Sequence, residues 1–452
     1  METTRRQFLK SLPPIAGILG FPTLLRASEL NSRVQHACIG LGGLMGNTDL
    51  KSFLGHSRTD VVAICDVDAG ILERAAKVVP NARTYRDWRE MLAKEGNRID
   101  SINACVPDHM HAAISYTAMS LGKHVYCQKP MCHDVAEIRA LTKLAAKTGL
   151  KSQLGNQYAS SLGDRMTVEY IKSGVIGKIK HVYLCSNRES GMAYRLDQPQ
   201  PPEAAIPATL AWDLWLGTAP HRPYSADVYH PSIWRTWLDF GTGWLGDIGC
   251  HILSAPWKAL NLSAPDTIHA RVNQSWLESS EKRARLWPQA NHITWTFPGN
   301  EMTAGSNLSI EWFDGVDPDF YIPEEFRSLY PGEKFPEEAA LFIGEQGALL
   351  LPHTSGPQLL PKDKFTAVPR PNVKGENHYH SFVNSILDGT PCESSFDLAG
   401  PMSEAVILGT VAARYPGQKL EWDSKSMRFA QDEANASLRR TYRDGWKIEG
   451  LG

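Results

Sequence analysis

The sequence predicts an α/β protein: a doubly wound parallel sheet, followed by an α/β domain with a large open, mainly antiparallel sheet. Between residues 36 and 154 short apolar runs alternate with helical patterns, and this alternation implies right-handed crossovers between parallel strands. Beyond Pro265 strand patterns follow one another without long helices, which is typical of an antiparallel sheet. These later strands are predicted over 267–276, 292–297, 306–313 and 341–351.

The composition is that of an ordinary globular protein. Of 452 residues 42% are hydrophobic and 21% are charged, and the formal net charge is -2. A basic excess of the kind that binds nucleic acid or an anionic membrane is missing from the sequence, so we expect neither as a partner. The eight cysteines show no metal-ligand spacing, and several lie in apolar runs. We therefore predict buried thiols and no metal site.

The N-terminal segment carries the string Arg5-Arg6-Gln7-Phe8-Leu9-Lys10, followed by an apolar stretch over 12–25 that proline and glycine interrupt. This stretch is too short to span a bilayer stably. The combination predicts a twin-arginine export signal over residues 1–30, and with it a periplasmic protein without stable membrane insertion. The alternative is an amphipathic helix with two incidental arginines.

A glycine-rich loop, Gly40-Leu41-Gly42-Gly43-Leu44, follows the first predicted strand and precedes a helical pattern from Asp49 onward. A strand, a glycine turn and a helix together place backbone N–H groups and the positive helix end against a pyrophosphate. Met45 stands at the third position of the glycine pattern, and we expect Gly46 to provide the tight packing there. The loop therefore indicates a dinucleotide site.

The second predicted strand, over 61–66, ends in Asp66. A carboxylate at this place accepts hydrogen bonds from both ribose hydroxyls and repels a 2′-phosphate, so NAD is favoured over NADP as the cofactor. In the alternative interpretation Asp66 caps the helix that starts near Ala69.

Four motifs together resemble the glucose-fructose oxidoreductase / inositol dehydrogenase / MocA (Gfo/Idh/MocA) family over nearly the whole chain after the signal. They are the glycine loop with Asp66, Val106-Pro107-Asp108-x-x-His111, the run 122–130 that ends in Gln128-Lys129-Pro130, and Asp247-Ile248-Gly249-Cys250-His251. The resemblance implies a Rossmann domain over 31–157, a substrate and oligomerisation domain over 158–376, and C-terminal helices over 377–452 that pack back on the Rossmann domain. It also implies the cofactor contacts Gly40, Gly42, Gly43, Leu44, Asp66, Val106, Pro107, Asp108, His111, Gln128, Lys129, Asn156 and Gln157.

The candidate catalytic residues are Lys129, Asp247 and His251. The strand over 124–127 stops before Pro130, so Lys129 is presented at a carboxyl end, where open α/β sheets bind ligands. Asp247 and His251 are four residues apart on a helical pattern and share one face. Alone they are more often a surface pair; the resemblance implies that Lys129 and His251 act as acid and base and that Asp247 orients them. Gln128 replaces the family's usual Glu, and an amide favours a charged lysine less than a carboxylate does.

The stretch 209–244 is rich in aromatic residues and holds five of the 13 tryptophans. Aromatic faces against the C–H face of a sugar, with arginine and histidine donors at the rim, give carbohydrate sites their affinity. The alternative is a loop-rich segment held in place by aromatic residues of the core. The predicted substrate contacts are Arg188, Tyr229, Trp234, Arg235 and Trp244.

These motifs predict an oxidoreductase that acts on a secondary hydroxyl of a sugar or glycoside with tightly bound NAD. Two alternatives remain: an NAD-dependent glycoside hydrolase that works by transient oxidation, and a non-catalytic NAD-bound sugar sensor. The resemblance further implies a homo-oligomer, a dimer or a tetramer, formed through the free face of the second sheet.

Overall fold

In the computed structural model the described residues are 33–188, 199–231, 233–330 and 334–451, and the predicted export signal lies outside them. The described residues form two sheets joined by one continuous hydrophobic core. No helix within these ranges is long and apolar enough to cross a membrane.

The first sheet has six parallel strands in the order β3-β2-β1-β4-β5-β6, which confirms the predicted doubly wound sheet. Its strands are β1 Val34–Ile39, β2 Thr59–Cys65, β3 Arg83–Tyr85, β4 Ser101–Ala104, β5 His124–Cys127 and β6 Ser152–Leu154. The connecting helices are α1 Gly43–Leu54, α2 Ala69–Val78, α3 Trp88–Glu95, α4 Asp108–Ser120 and α5 Val135–Thr148. The strand order reverses between β1 and β4, and sheets of this kind bind ligands in the crevice at that point.

Helix α1 begins at Gly43, well before the start that the sequence predicted at Asp49. Glycine has a low helix propensity, so the pattern alone placed the first turn too late. In the structure Gly42 is the N-cap with an extended backbone, and the glycine loop itself forms the first turn. The free N–H groups of this turn therefore point out of the glycine loop.

Helices cover both faces of the first sheet. Helices α1 and α2 pack on one face together with α12 (His378–Asp388), through residues such as Phe53 and Phe382. Helices α3, α4 and α5 pack on the other face. Double coverage explains why β4 is buried along its whole length and was recognisable as an apolar run.

The second sheet has nine strands in the order β13-β12-β11-β7-β10-β9-β8-β14-β15. Of its neighbouring pairs only β7 and β10 are parallel, so the predicted open, mainly antiparallel sheet is confirmed. The strands are β7 Ile179–Ser186, β8 Thr267–Val272, β9 Asn291–Pro298, β10 Asn307–Asp314, β11 Glu338–Gly344, β12 Ala348–Pro352, β13 Gln358–Leu360, β14 Lys419–Asp423 and β15 Arg428–Phe429.

Two long helices connect the second sheet to the first domain. The remaining helices are α6 Leu162–Lys172, α7 Trp212–Leu216, α8 Gly243–Ala259, α9 Gln274–Leu277, α10 Ser280–Arg285, α11 Glu324–Arg327 and α13 Phe396–Ala413. Helices α8 and α13 pack against each other and on the inner face of the sheet, where the Trp295 indole donates to the carbonyl of Ala405 at 2.9 Å. The loop between β10 and β11 packs on the outer face through Ile322, Phe326 and Tyr330.

Several histidines are buried in this fold as neutral rings. His36, for example, lies with Nδ1 2.8 Å from the Ser101 hydroxyl and Nε2 3.2 Å from the Asn103 side-chain oxygen. Burial lowers the pKa to about 3 for His36 and His109, and to about 4 for His111, His124 and His378. Each of these rings favours the folded state only while it stays uncharged.

We expect the thermal midpoint of unfolding to fall by about 2–6 °C between pH 7 and pH 5. The unfolded rings bind protons near pH 6.5 while the folded rings do not, so acid favours the unfolded chain in this window. Burial raises the pKa of Asp49, Asp108 and Asp134 to about 7. In this window the folded chain keeps the protons of these three carboxyls and the unfolded chain does not, so they make acid favour the folded chain. We expect the effect of the five rings on the midpoint to be larger than that of the three carboxyls. Calorimetry at several pH values tests this, and a midpoint that rises on acidification would contradict it.

Candidate active site

A cavity of about 330 Å³ lies at the carboxyl ends of β1, β4 and β5, against the second domain. The predicted cofactor residues that line it are Gly40, Gly42, Gly43, Leu44, Asp66, Val106, Pro107, Gln128 and Lys129. The predicted catalytic and substrate residues that line it are Lys129, Asp247, Arg188, Trp234 and Arg235. The structure therefore brings the glycine loop, the strand-end lysine and part of the second domain to one place.

The glycine loop is shaped so that side chains would not fit. Gly40 has φ +82°, and a Cβ there would lie 1.9 Å from the carbonyl oxygen of Cys105. A Cβ on Gly46 would lie 2.5 Å from the backbone of Leu41, so Gly46 provides the close helix packing that Met45 at the preceding position does not. The loop leaves room for a pyrophosphate at the start of α1, as a dinucleotide requires.

Asp66 faces the cavity and is not a helix cap. Helix α2 is capped by Asp68, whose side chain accepts from the N–H groups of Gly70 and Ile71. The Asp66 carboxylate instead accepts from the N–H of Leu41 at 2.8 Å and from the N–H of Asp68 at 2.9 Å. Each oxygen keeps a second lone pair, so the acid is held in place and can still accept from ribose hydroxyls. Together with the glycine loop it fits NAD.

Lys129 and Asp247 form an ion pair in the wall of the cavity. The Lys129 Nζ lies 2.5 Å from Asp247 Oδ1 and 3.2 Å from its carbonyl oxygen, and both side chains are more than nine-tenths buried. Arg235 Nε lies 2.8 Å from the same carboxylate oxygen. Burial alone would raise the pKa of Asp247, but the charges of Arg235 and Lys129 outweigh burial and hold it well below its usual range. One permanent carboxylate therefore fixes the position of two cations.

His251 lies one turn after Asp247 on α8, beside the cavity rather than in its lining. Its Nδ1 is 2.5 Å from the side-chain oxygen of Asn156, whose amide nitrogen donates to the carbonyl of Cys250. An amide oxygen only accepts, so Nδ1 carries the proton and Nε2 is the basic nitrogen. Burial, and then the charge of Lys129, lowers the pKa of His251 well below its usual value. His251 is thus a neutral proton acceptor within electrostatic range of Lys129.

Gln128 turns its side chain towards Asp49 on α1. Its amide nitrogen donates to Asp49 Oδ1 at 2.8 Å, and the Tyr379 hydroxyl donates to the same oxygen at 2.8 Å. Gly155 allows this, because a Cβ there would lie 2.8 Å from the Gln128 amide carbon. The negative charge next to Lys129 is therefore that of Asp247 and not of residue 128. The Gln128 amide donates a hydrogen bond to buried Asp49, which a glutamate carboxylate could not do.

We expect Gln128→Glu to lower the free energy of unfolding by about 2 kcal/mol at pH 8, because it removes a donor from buried Asp49 and places a second carboxylate beside it. At pH 5 the two acids share a proton and the loss should be smaller. The double variant Gln128→Glu, Asp49→Asn exchanges acid and amide and should recover most of the stability. Denaturant unfolding at both pH values measures this, and a double variant less stable than the single one would refute the pairing.

Four predicted cofactor residues do not line the cavity. Asp108 accepts from the backbone N–H and hydroxyl of Thr242, and the two ring nitrogens of His111 lie 2.6 and 2.8 Å from backbone carbonyl oxygens. Asn156 orients His251 as described above, and Gln157 donates to the Tyr379 hydroxyl at 3.0 Å. In the described part of the chain these four side chains therefore make structural hydrogen bonds: Asp108 and His111 to backbone groups, Asn156 to the His251 ring and Gln157 to the Tyr379 hydroxyl.

Most rings of the aromatic stretch belong to the core, and only part of the predicted ligand-facing wall lines the cavity. Its rings stack on one another, as Trp212 and Trp215 do at 4.8 Å, and they form a buried cluster of their own. Tyr229 lies inside this cluster, and the indole of Trp244 donates to the Ser186 hydroxyl away from the cavity lining. The members of the stretch that do line the cavity are Leu214, Trp215, His230, Pro231, Trp234 and Arg235, and Asp247 and Ile248 follow it.

His353 and Tyr158 are neighbours of the site that the sequence motifs did not indicate. The His353 ring lies 5.4 Å from the His251 ring, and the Tyr158 ring lies 4.3 Å from His353. Burial, and then the charges of Arg188 and Lys129, lowers the pKa of His353 to about 4. His353 follows the end of β12 and no local pattern marks it, so only the folded sheet brings it here.

Within the described ranges no group of histidines, cysteines and acids is arranged to hold a metal ion.

Models of one protein family match the first domain and part of the second. Residues 34–156 match the family model described as an oxidoreductase family with an NAD-binding Rossmann fold, and residues 167–275 match that of an oxidoreductase family C-terminal alpha/beta domain. D-glucoside 3-dehydrogenase of Escherichia coli K12 is 23% identical over 34% of this chain and 44% of that protein. A glycosyl hydrolase family 109 protein of Shewanella woodyi is 26% identical over 33% of each chain. The chain thus spans less than half the length of these curated relatives.

A solved structure shows the likeness of fold over a longer range. An inositol dehydrogenase homolog from Azotobacter vinelandii, complexed with NADH and myo-inositol, matches with a TM-score of 0.56 and 15% identity over 86% of this chain and 98% of that chain. At this identity the likeness concerns the fold.

Proposed function

The chain belongs to the Gfo/Idh/MocA oxidoreductase family, and from this premise we propose that it oxidises or reduces a secondary hydroxyl of a sugar or glycoside with tightly bound NAD. The observation that carries the proposal is the Lys129–Asp247 ion pair, 2.5 Å long, in the same cavity as the glycine loop and Asp66. The relative described as D-glucoside 3-dehydrogenase supports a carbohydrate substrate.

The residues of this chain divide the work. The glycine loop and Asp66 would hold the dinucleotide, which when bound supplies the hydride acceptor or donor. Lys129 lies at the cavity wall with three N–H donors and is the group best placed to hold the substrate hydroxyl and exchange its proton. Asp247 and Arg235 keep the amine in position. The basic Nε2 of His251 is the second acceptor for that proton.

The test is a panel of sugars and methyl glycosides added to purified protein, with the nicotinamide absorbance recorded. Mass spectrometry of the small molecule released on denaturation shows whether NAD is carried through purification. The proposal expects released NAD and a spectral change with a carbohydrate. No change with any carbohydrate would count against it.

A second candidate function is NAD-dependent glycoside hydrolysis, which the relative described as a glycosyl hydrolase family 109 protein favours. In such chemistry a ring hydroxyl is oxidised to a ketone, the neighbouring carbon loses its acidified proton, the leaving group departs from the next carbon along, and water and then hydride are added back. Chromogenic glycosides separate the two: release of the aglycone without net NADH supports the hydrolase, whereas net NADH supports the dehydrogenase. A non-catalytic sensor would give neither signal.

Export and assembly are further parts of the proposal. The twin-arginine string at Arg5 and Arg6 supports export to the periplasm, where a retained cofactor is needed because free NAD is scarce. Replacing both arginines with lysine should leave the protein in the cytoplasmic fraction. The outer face of β8, β9 and β10 carries half-buried polar residues such as Thr294 and Ser309, which supports a homo-oligomer through this face. Light scattering of the purified chain tests that.

A further inference from the structure

Among the described residues, Arg188 is a cavity-lining cation whose ion pair is long, in contrast to the short ion pairs of Lys129 and Arg235. It lies just beyond the end of β7 and lines the cavity with Lys129. Its nearest acid is Glu338, with Nε 3.5 Å from Oε1, and its Nε makes no hydrogen bond within the described residues. The side chain is 42% exposed and lines the cavity.

Glu338 is already engaged and does not hold the arginine tightly. Its Oε1 accepts from the Ser186 hydroxyl at 2.8 Å, and that hydroxyl accepts from the Trp244 indole at 2.9 Å. The Arg188 guanidinium carbon lies 5.5 Å from the centre of the Trp244 ring. The arginine is therefore positioned by an aromatic face and a distant acid, with the fork of its guanidinium available to a ligand.

The balance of charge at this end of the cavity points to one negative charge on the ligand. Among the ion pairs that the described residues form here, Lys129, Arg188 and Arg235 lie against two carboxylates, Asp247 and Glu338, so the cations outnumber the carboxylates by one. Lys129 and Arg235 share Asp247 at 2.5 and 2.8 Å, whereas Arg188 lies 3.5 Å from Glu338, so Arg188 is the cation of the three that is held least tightly. A guanidinium binds a carboxylate with two parallel N–H···O bonds, and a singly charged carboxylate matches the balance better than a doubly charged phosphate.

We propose that Arg188 binds a carboxylate of the substrate, so that the sugar is an acidic one, a uronic acid or a uronoside. This rests on the proposed function, because the ring must place its reacting C–OH at Lys129 while its carboxylate reaches Arg188. Both residues line one cavity, and the charges of both act on the His353 ring, so they lie at the same end of that cavity.

The test compares each uronate with its uronamide, which has the same ring and size but no charge. Thermal shift and calorimetric titration on the purified, NAD-containing protein measure binding independently of turnover. For at least one sugar we expect the uronate to bind at least 10-fold more tightly than the amide. We expect Arg188→Gln to abolish this preference, and Arg428→Gln, at an exposed arginine on β15, to leave it unchanged.

Three results would overturn the proposal: uronates that bind no more tightly than their amides, a preference that persists in Arg188→Gln, or hexose 6-phosphates preferred over every uronate. Failure of the proposed function looks different. In that case a uronate still binds in an Arg188-dependent way, but it neither changes the nicotinamide absorbance nor releases an aglycone. Turnover of neutral sugars with no Arg188-dependent uronate binding would instead support the function and refute the acidic substrate.

Discussion

Replacing Lys129 with methionine is expected to lower kcat by about 10²–10⁴-fold while the protein keeps its fold and its NAD. The methionine fills nearly the same space but offers no donor to a substrate hydroxyl. Arg235 remains 2.8 Å from Asp247, so the buried carboxylate keeps a counter-ion and the loss of stability should be small. The nicotinamide absorbance with the best sugar of the panel gives kcat, and mass spectrometry after denaturation gives the NAD content.

Lys180→Met is the matched control, since Lys180 is an exposed lysine on β7, remote from the cavity lining. It should leave kcat within about twofold, as surface substitutions usually do. If Lys129→Met kept full activity, the amine would not be the proton-exchanging group, and His251 would be the first residue to test in its place. If it lost NAD as well as activity, Lys129 would act in binding the cofactor rather than in exchanging the proton.

The sequence carried the parts of the site that depend on local geometry. A proline just after a strand presents Lys129 at the carboxyl end of β5, and the spacing of Asp247 and His251 places both on one side of α8. Gly40 and Asp66 likewise follow from what a strand end must supply to a dinucleotide. In each case the chemistry restricts which residue can stand at a position next to a recognisable element.

The contacts of the site that depend on the packing of distant segments could not be predicted from the sequence. His353 joins the site only because β12 pairs with β11 in the folded sheet. The aromatic stretch looked like a sugar-binding wall because composition says nothing about which way a ring faces, and most of its rings face each other. Asp49 lies in the middle of α1, and its hydrogen bond with Gln128 forms because α1 packs on the sheet, which no sequence pattern indicates.

Asp247→Asn is expected to lower the free energy of unfolding by about 3–5 kcal/mol, because it removes the negative charge that lies against buried Lys129 and partly buried Arg235. Lys129 and Arg235 lie 2.5 and 2.8 Å from the carboxylate, and the amide that replaces it cannot balance either. The low pKa of Asp247 means that the wild-type carboxylate stays ionised, so acid does not reproduce this loss until well below the usual range. Activity should also fall strongly, since the amine loses the group that positions it.

Double variants show whether the stability loss of Asp247→Asn comes from electrostatic repulsion between the cations or from disturbed local packing. Adding Lys129→Met or Arg235→Gln to Asp247→Asn removes one of the two cations that lost the Asp247 carboxylate, so each double variant should be more stable than the single one. Neither should recover activity, because each lacks two members of the cluster. Denaturant unfolding of the wild type, the three single variants and the two double variants gives the interaction energies. If the cations added no strain, each double variant would be less stable than the wild type by the sum of its two separate losses, and the electrostatic explanation would be refuted.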